Sequence, residues 1–99
     1  MSAYVVMMRE RTRDAEEMDL YARQAVQARA GHAITPLARY GTLDVLEGPA
    51  FEGCLIHRFP SVAEAQAWYY SPQYQEAARH RHNGAEYRVF IVEGIADAT

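Results

Sequence analysis

The chain has no lysine: all ten basic residues are arginine, set against thirteen acids and four histidines for a net charge of −3. An acidic balance excludes the basic face that a nucleic-acid module presents. Arginine forks suit bidentate anion recognition, although a GC-rich coding sequence produces the same bias. The single cysteine, Cys54, excludes an internal disulfide and a cysteine-based zinc site. It lies in an apolar run, where a thiol serves as a small buried hydrophobe rather than a nucleophile. With six glycines and four prolines, disorder is not suggested. No run approaches the ~20 apolar residues of a membrane helix, and the N-terminus shows no charged-then-apolar leader. A soluble, cytoplasmic protein with neither nucleic-acid nor membrane partner is expected. The 99 residues make a single domain, 1–99, without room for a second core.

The hydrophobic pattern alternates between strand and helix. Tyr4 to Met8 is a short apolar run rich in β-branched and aromatic residues, a strand buried on both faces. Asp14 and Glu17 make a capping-box-like start to a helix, on which Met18, Tyr21, Ala22, Ala25 and Arg29 share a stripe until Gly31 stops it. Pro36 to Tyr40 and then Leu43 to Leu46 read as strand with an irregularity at Gly41-Thr42, followed by a Gly48-Pro49 turn. Cys54 to Phe59 is the third strand. Pro60 ends it, and Ser61 with Glu64 opens a second helix. Ser71-Pro72 then breaks that helix into two pieces, since serine is a good cap and proline a good first helical residue. Asn83-Gly84 ends the second piece, and EYRVFIVEG forms the last strand, with a frayed tail at Ala96–Thr99.

The order βαββαβ predicts an α+β, ferredoxin-like fold: an antiparallel sheet with both helices on one face. Such a sheet should be polar on its wet side, yet in the first and last strands both parities are apolar. Two helices cover one face only. A second copy packed sheet to sheet is the simplest cover for the other, which predicts a homodimer.

Arg39 and Gly41, Glu47-Gly48, Phe59-Pro60-Ser61, Trp68-Tyr69, Ser71-Pro72-x-Tyr74 and Val92-Glu93-Gly94 follow one another along almost the whole chain. In this order and spacing they resemble the domain-of-unknown-function family 1330, a branch of the dimeric α/β-barrel superfamily. The resemblance implies a ferredoxin-like fold and a dimer built by packing two sheets together. Its wider relatives include cofactor-independent monooxygenases of aromatic polyketides, polyketide cyclases, haem-degrading enzymes and chlorite dismutases, and fold does not choose among these. This chain departs from the family pattern at Tyr40, where a small residue is common. It departs again at His57-Arg58, which replaces an apolar–acidic pair.

Several residues are candidates for chemistry. His57 shares strand parity with Leu55 and Phe59, so it faces the helices, where pockets of the superfamily lie; an imidazole there serves as a base or a donor. The alternative is a core histidine satisfied by a tyrosine hydroxyl or a carbonyl. Arg58 faces the other side, as a ligand anchor or as an interface ion pair with a residue such as Glu93. Arg39 orients an anionic ligand if it reaches the pocket, and otherwise pairs with Asp44 or Glu47. Tyr21, Tyr40, Tyr69, Tyr74 and Trp68 are candidate pocket walls. In Arg79-His80-Arg81-His82 the two histidines lie about 200° apart around a helix, which is poor for chelation, and a cationic last turn suits the helix dipole unaided. His32 has no evident partner. No metal set, haem ligand, phosphate loop or nucleophile triad emerges, and no cofactor is expected.

Two classes of function follow. One is a cofactor-independent small-molecule enzyme, of oxygenase or cyclase type, acting on a hydrophobic or aromatic ligand in a cavity of a few hundred Å3 beside His57. The other is a non-catalytic ligand-binding or accessory homodimer, in which the tyrosine hydroxyls already have protein partners.

Overall fold

The computed structural model describes residues 1–96. Its elements are β1 (Ala3–Thr12), α1 (Ala15–Gln27), β2 (Thr35–Arg39), β3 (Gly53–Phe59), α2 (Val62–Tyr69), α3 (Pro72–Gly84) and β4 (Ala85–Glu93). The four strands form one sheet in the order β2-β3-β1-β4, antiparallel throughout. That is the ferredoxin-like arrangement expected from the pattern, with the second helix in two pieces.

The register sorts the side chains by face. Val5 lies opposite His57 and Ile91, and Met7 opposite Leu55 and Val89. These residues point toward the helices and join Tyr21, Phe59, Trp68, Tyr74, Ala77 and Ala78 in the core. The other parity holds Tyr4, Val6, Met8, Cys54 and Ile56, half-buried in the single chain, and Phe90 and Val92, 45% and 48% exposed. The apolar second face is therefore present and bare of helices. Arg58 lies on it too, opposite Tyr4 and in line with Val92; Glu93 falls on the other parity, opposite Ala3. Within one chain Arg58 and Glu93 are thus turned to different faces.

The caps explain the helix boundaries. Asp14 accepts from the backbone N–H of Glu16 at 3.1 Å and Glu17 at 3.3 Å, satisfying two otherwise orphan donors. Glu17 does not close the expected capping box; its carboxylate pairs with Nδ1 of His80 at 2.6 Å, tying α1 to α3. Gly31, at φ +82°, turns the chain a few residues after α1 ends. Ser71 links α2 to α3: its Oγ accepts from the Tyr74 N–H at 3.2 Å and donates to the Trp68 carbonyl at 2.8 Å. One hydroxyl thus holds both helix ends at the break.

The strand expected at Leu43 to Leu46 is not formed. The chain leaves the sheet after Arg39, where Tyr40 adopts a left-handed φ of 53°, and Leu46 is 85% exposed. A positive φ turns the backbone out of the extended line that pairing requires, so residues 41–52 form a loop. Of the tail Ala96–Thr99, residues 97–99 lie outside the described residues. Among the described residues no helix is long and apolar enough to cross a membrane.

Candidate functional site

Between α1 and the sheet lies a cleft of about 340 Å3, at the small end of the range for ligand pockets. One wall is the helical stripe Met18, Tyr21, Ala22, Ala25 and Arg29; the other is supplied by β1, β2, β3 and β4 through Met7, Arg39, Leu55, His57 and Tyr87. Trp68 closes one side and Tyr40 another.

His57 is brought here by its parity on β3, and only 6% of its surface is exposed. Its ring meets the Trp68 indole edge to face at 6.0 Å. Neither Nδ1 of His57 nor Nε1 of Trp68, both sealed from solvent, has a hydrogen-bond partner. Buried polar atoms are nearly always satisfied, so these two atoms, both on residues of the cleft wall, stand out as exceptions. Burial, with the positive charges of Arg29 and Arg39, lowers the His57 pKa from 6.5 to about 4. The imidazole is therefore neutral at physiological pH.

The tyrosines are arranged in pairs. The hydroxyls of Tyr21 and Tyr74 lie 2.8 Å apart, and each also reaches the Met7 sulfur at 3.9 Å. Those of Tyr40 and Tyr87 are likewise 2.8 Å apart. Burial raises the pKa of Tyr21 and Tyr40, and the hydroxyls of Tyr74 and Tyr87 respectively add to it. Both stay protonated and are unsuited to act as bases. The left-handed backbone at Tyr40 aims its ring over Gly53, where a Cβ would sit 2.9 Å from Cδ1 of the ring. Arg9 lies over the Tyr40 ring, 4.7 Å from its centre, and is held by Glu52 at 3.1 Å. Glu52 also accepts from the Thr12 hydroxyl at 2.6 Å and backbone N–H at 3.0 Å.

Of the residues singled out by sequence, the structure brings together Tyr21, Arg39, Tyr40, His57 and Trp68. Arg39 makes no ion pair with Asp44 or Glu47 among the described residues. Tyr74 lies beneath the wall, 0% exposed, and serves the core. Tyr69 lines a separate polar hollow of about 500 Å3 with Arg81 and Tyr87. Arg58 lines a third hollow with His32 and Pro60. These three are not part of the cleft.

Arg29 and Tyr87 belong to the cleft and had not been singled out as ligand residues. Arg29 carried a signal, as the charged member of an otherwise apolar stripe. Tyr87 carried another: it shares the helix-facing parity of Val89 and Ile91. The Arg79–His82 run is structural in three of its members. Arg79 pairs with Glu76 at 2.6 Å, His80 with Glu17, and Arg81 is buried against the rings of Tyr21 and Tyr87. No group of metal-ligating side chains is assembled among the described residues.

Comparison with known proteins supports the fold and one family. No curated protein matches the chain. A protein of unknown function from Rhodopseudomonas palustris is 19% identical over 96% of this chain and 83% of its own, with a TM-score of 0.70. A dimeric ferredoxin-like protein of unknown function from Jannaschia sp. CCS1 is 13% identical over 95% and 100% of the two chains, with a TM-score of 0.69. SnoaB, a cofactor-independent oxygenase from Streptomyces nogalater, is 11% identical over 96% and 93%, with a TM-score of 0.60. At these identities the likeness is one of fold. The family model for the domain of unknown function DUF1330 matches residues 2–95, and the chain belongs to that family.

Proposed function

We propose that the cleft binds a hydrophobic or aromatic small molecule and that His57 exchanges a proton with it, without a cofactor, in chemistry of the oxygenase or cyclase type. The observation that carries this reading is the neutral, almost wholly buried imidazole set in the wall of an aromatic cleft. Tyr21, Leu55 and Trp68, with Met18 and Ala25, give the cleft an aromatic and aliphatic lining suited to a planar ligand. A proton leaving such a ligand passes to His57, and the conjugate base left behind lies in the field of Arg29 and Arg39. A cofactor-independent oxygenase of similar fold supports the reading, although fold alone does not choose the chemistry. The protein works as a homodimer in this reading, its bare sheet face covered by a second copy, as in the dimeric ferredoxin-like proteins of similar structure.

Thermal-shift screening of polycyclic phenols, quinones and aromatic acids, followed by absorbance and oxygen-uptake assays on the hits, tests the proposal. The expected result is a hit whose spectrum changes with wild-type protein and does not change with His57→Gln. Hits that bind without any change by the wild type would favour a second reading, a non-catalytic binding homodimer. Two observations support that alternative: the tyrosine hydroxyls are already paired, and a base with a pKa of about 4 is weakly driven near pH 7.

A further inference from the structure

Three arginines and one acid, Asp19, are among the residues lining the cleft of a chain whose net charge is −3. The three arginines differ in employment. Arg9 is committed to Glu52 and to the Tyr40 ring. The side chains of Arg29 and Arg39 form no ion pair or hydrogen bond among the described residues, with Asp19 or with any other group. They approach the cleft from different elements, Arg29 from the turn after α1 and Arg39 from the end of β2. A cation just past a helix C-terminus is stabilised by the helix dipole, so Arg29 alone would argue for nothing. Arg39 has no such helix end to serve. Both lie close enough to His57 for their charge to weigh on its protonation.

These two guanidinium groups in the cleft have no acid paired to them. A carboxylate would complement them. It accepts two parallel bonds from a guanidinium, offsets the positive field on His57, and leaves the ring to which it is attached against the aromatic wall.

We infer that the molecule taken by the cleft is an aromatic carboxylic acid, its carboxylate held between Arg29 and Arg39 and its ring packed against Tyr21, Leu55 and Trp68. This rests on the proposed reading of the cleft as a small-molecule site and adds the charge of the ligand to it. The acid has about one or two rings, as a cleft of about 340 Å3 allows. The neutral amide of the same acid matches it in shape and lacks the charge.

The test is isothermal titration of the wild type, Arg29→Gln, Arg39→Gln and the double variant with 2-naphthoate and with 2-naphthamide. Both arginine side chains are at least partly exposed, and circular dichroism confirms that the variants remain folded. The expected result is naphthoate binding that weakens about tenfold or more in each single variant, weakens with added salt, and exceeds naphthamide binding by a similar factor. Naphthamide binding as tightly as naphthoate, or naphthoate binding untouched in the double variant, would overturn the inference while leaving the cleft a small-molecule site. Failure of both compounds to bind overturns the inference; failure of all aromatic compounds, neutral and charged, overturns the reading of the cleft as well.

Discussion

His57 concentrates the account at the scale of single residues. Its folded pKa, about 4, lies below the 6.5 of an exposed histidine because burial and two arginines oppose its charge. Between those values the unfolded chain takes up a proton that the folded chain refuses. Stability conferred by this residue is therefore complete above pH 6.5 and is lost as the pH falls toward 4, by at most about 3 kcal/mol. Urea midpoints measured at pH 7 and pH 4.5 should differ in wild type by more than in His57→Gln; equal differences in the two proteins would show that His57 is not held neutral. Beneath the cleft, Tyr74 is buried completely and contributes both a ring and a hydroxyl. Tyr74→Phe removes only the hydroxyl, with its contacts to Tyr21 and the Met7 sulfur, and should cost roughly 1 kcal/mol. Tyr74→Ala opens a cavity and should cost about 3–5 kcal/mol. Chemical denaturation of the two variants distinguishes a hydroxyl that stabilises from a ring that fills.

At the scale of elements, the break between α2 and α3 and the wall made by Tyr40 shape the site. Ser71 both caps α3 and holds the last turn of α2, so Ser71→Ala should cost about 1 kcal/mol and loosen Trp68, with a drop in stability read from thermal unfolding. Gly53→Ala would place a methyl group against the Tyr40 ring at 2.9 Å. The ring must move, at a cost of roughly 1–3 kcal/mol, and ligand affinity should fall even where the variant stays folded; unchanged affinity would remove Tyr40 from the wall.

These elements also show what the sequence could disclose. Caps at Asp14, Ser61 and Ser71 are local chemistry, and all three were legible because a side-chain oxygen reaches the backbone within three residues. The parity of His57 was legible because strand alternation has period two. The cleft was not: its walls come from α1, α2 and all four strands, and no local pattern states which of their side chains leave a gap. The false strand at Leu43 to Leu46 arose from apolar residues without a partner strand to receive them. The turn that removes them depends on a left-handed tyrosine, an uncommon conformation that a residue's identity does not announce.

At the scale of the whole molecule, the sheet has one face under helices and one without. Val6, Ile56 and Phe90 occupy neighbouring strands on the bare face, by the register that sets Val6 opposite both of the others. Solvent leaves such a surface unfavourable. Covering it with a second copy fits the dimeric neighbours of the same fold. A charge placed at its centre, Val6→Glu, should convert a dimer to a monomer in sedimentation velocity at micromolar concentration, whereas a wild type that already sediments as a monomer would rule the pairing out. The cleft lies on the opposite side of the sheet, so a second copy packed on the bare face would leave it accessible.

The central claim is that a small molecule occupies the cleft beside His57 and Trp68. Trp68 is the only tryptophan, and it lines the cleft beside His57. Its single indole proton resonance therefore reports on the cleft wall. Titration of the labelled protein with 2-naphthoate should move that resonance in a saturable way, together with the imidazole signals of His57. An indole resonance that stays in place at saturating ligand, while other aromatic compounds leave it equally unmoved, would contradict the account.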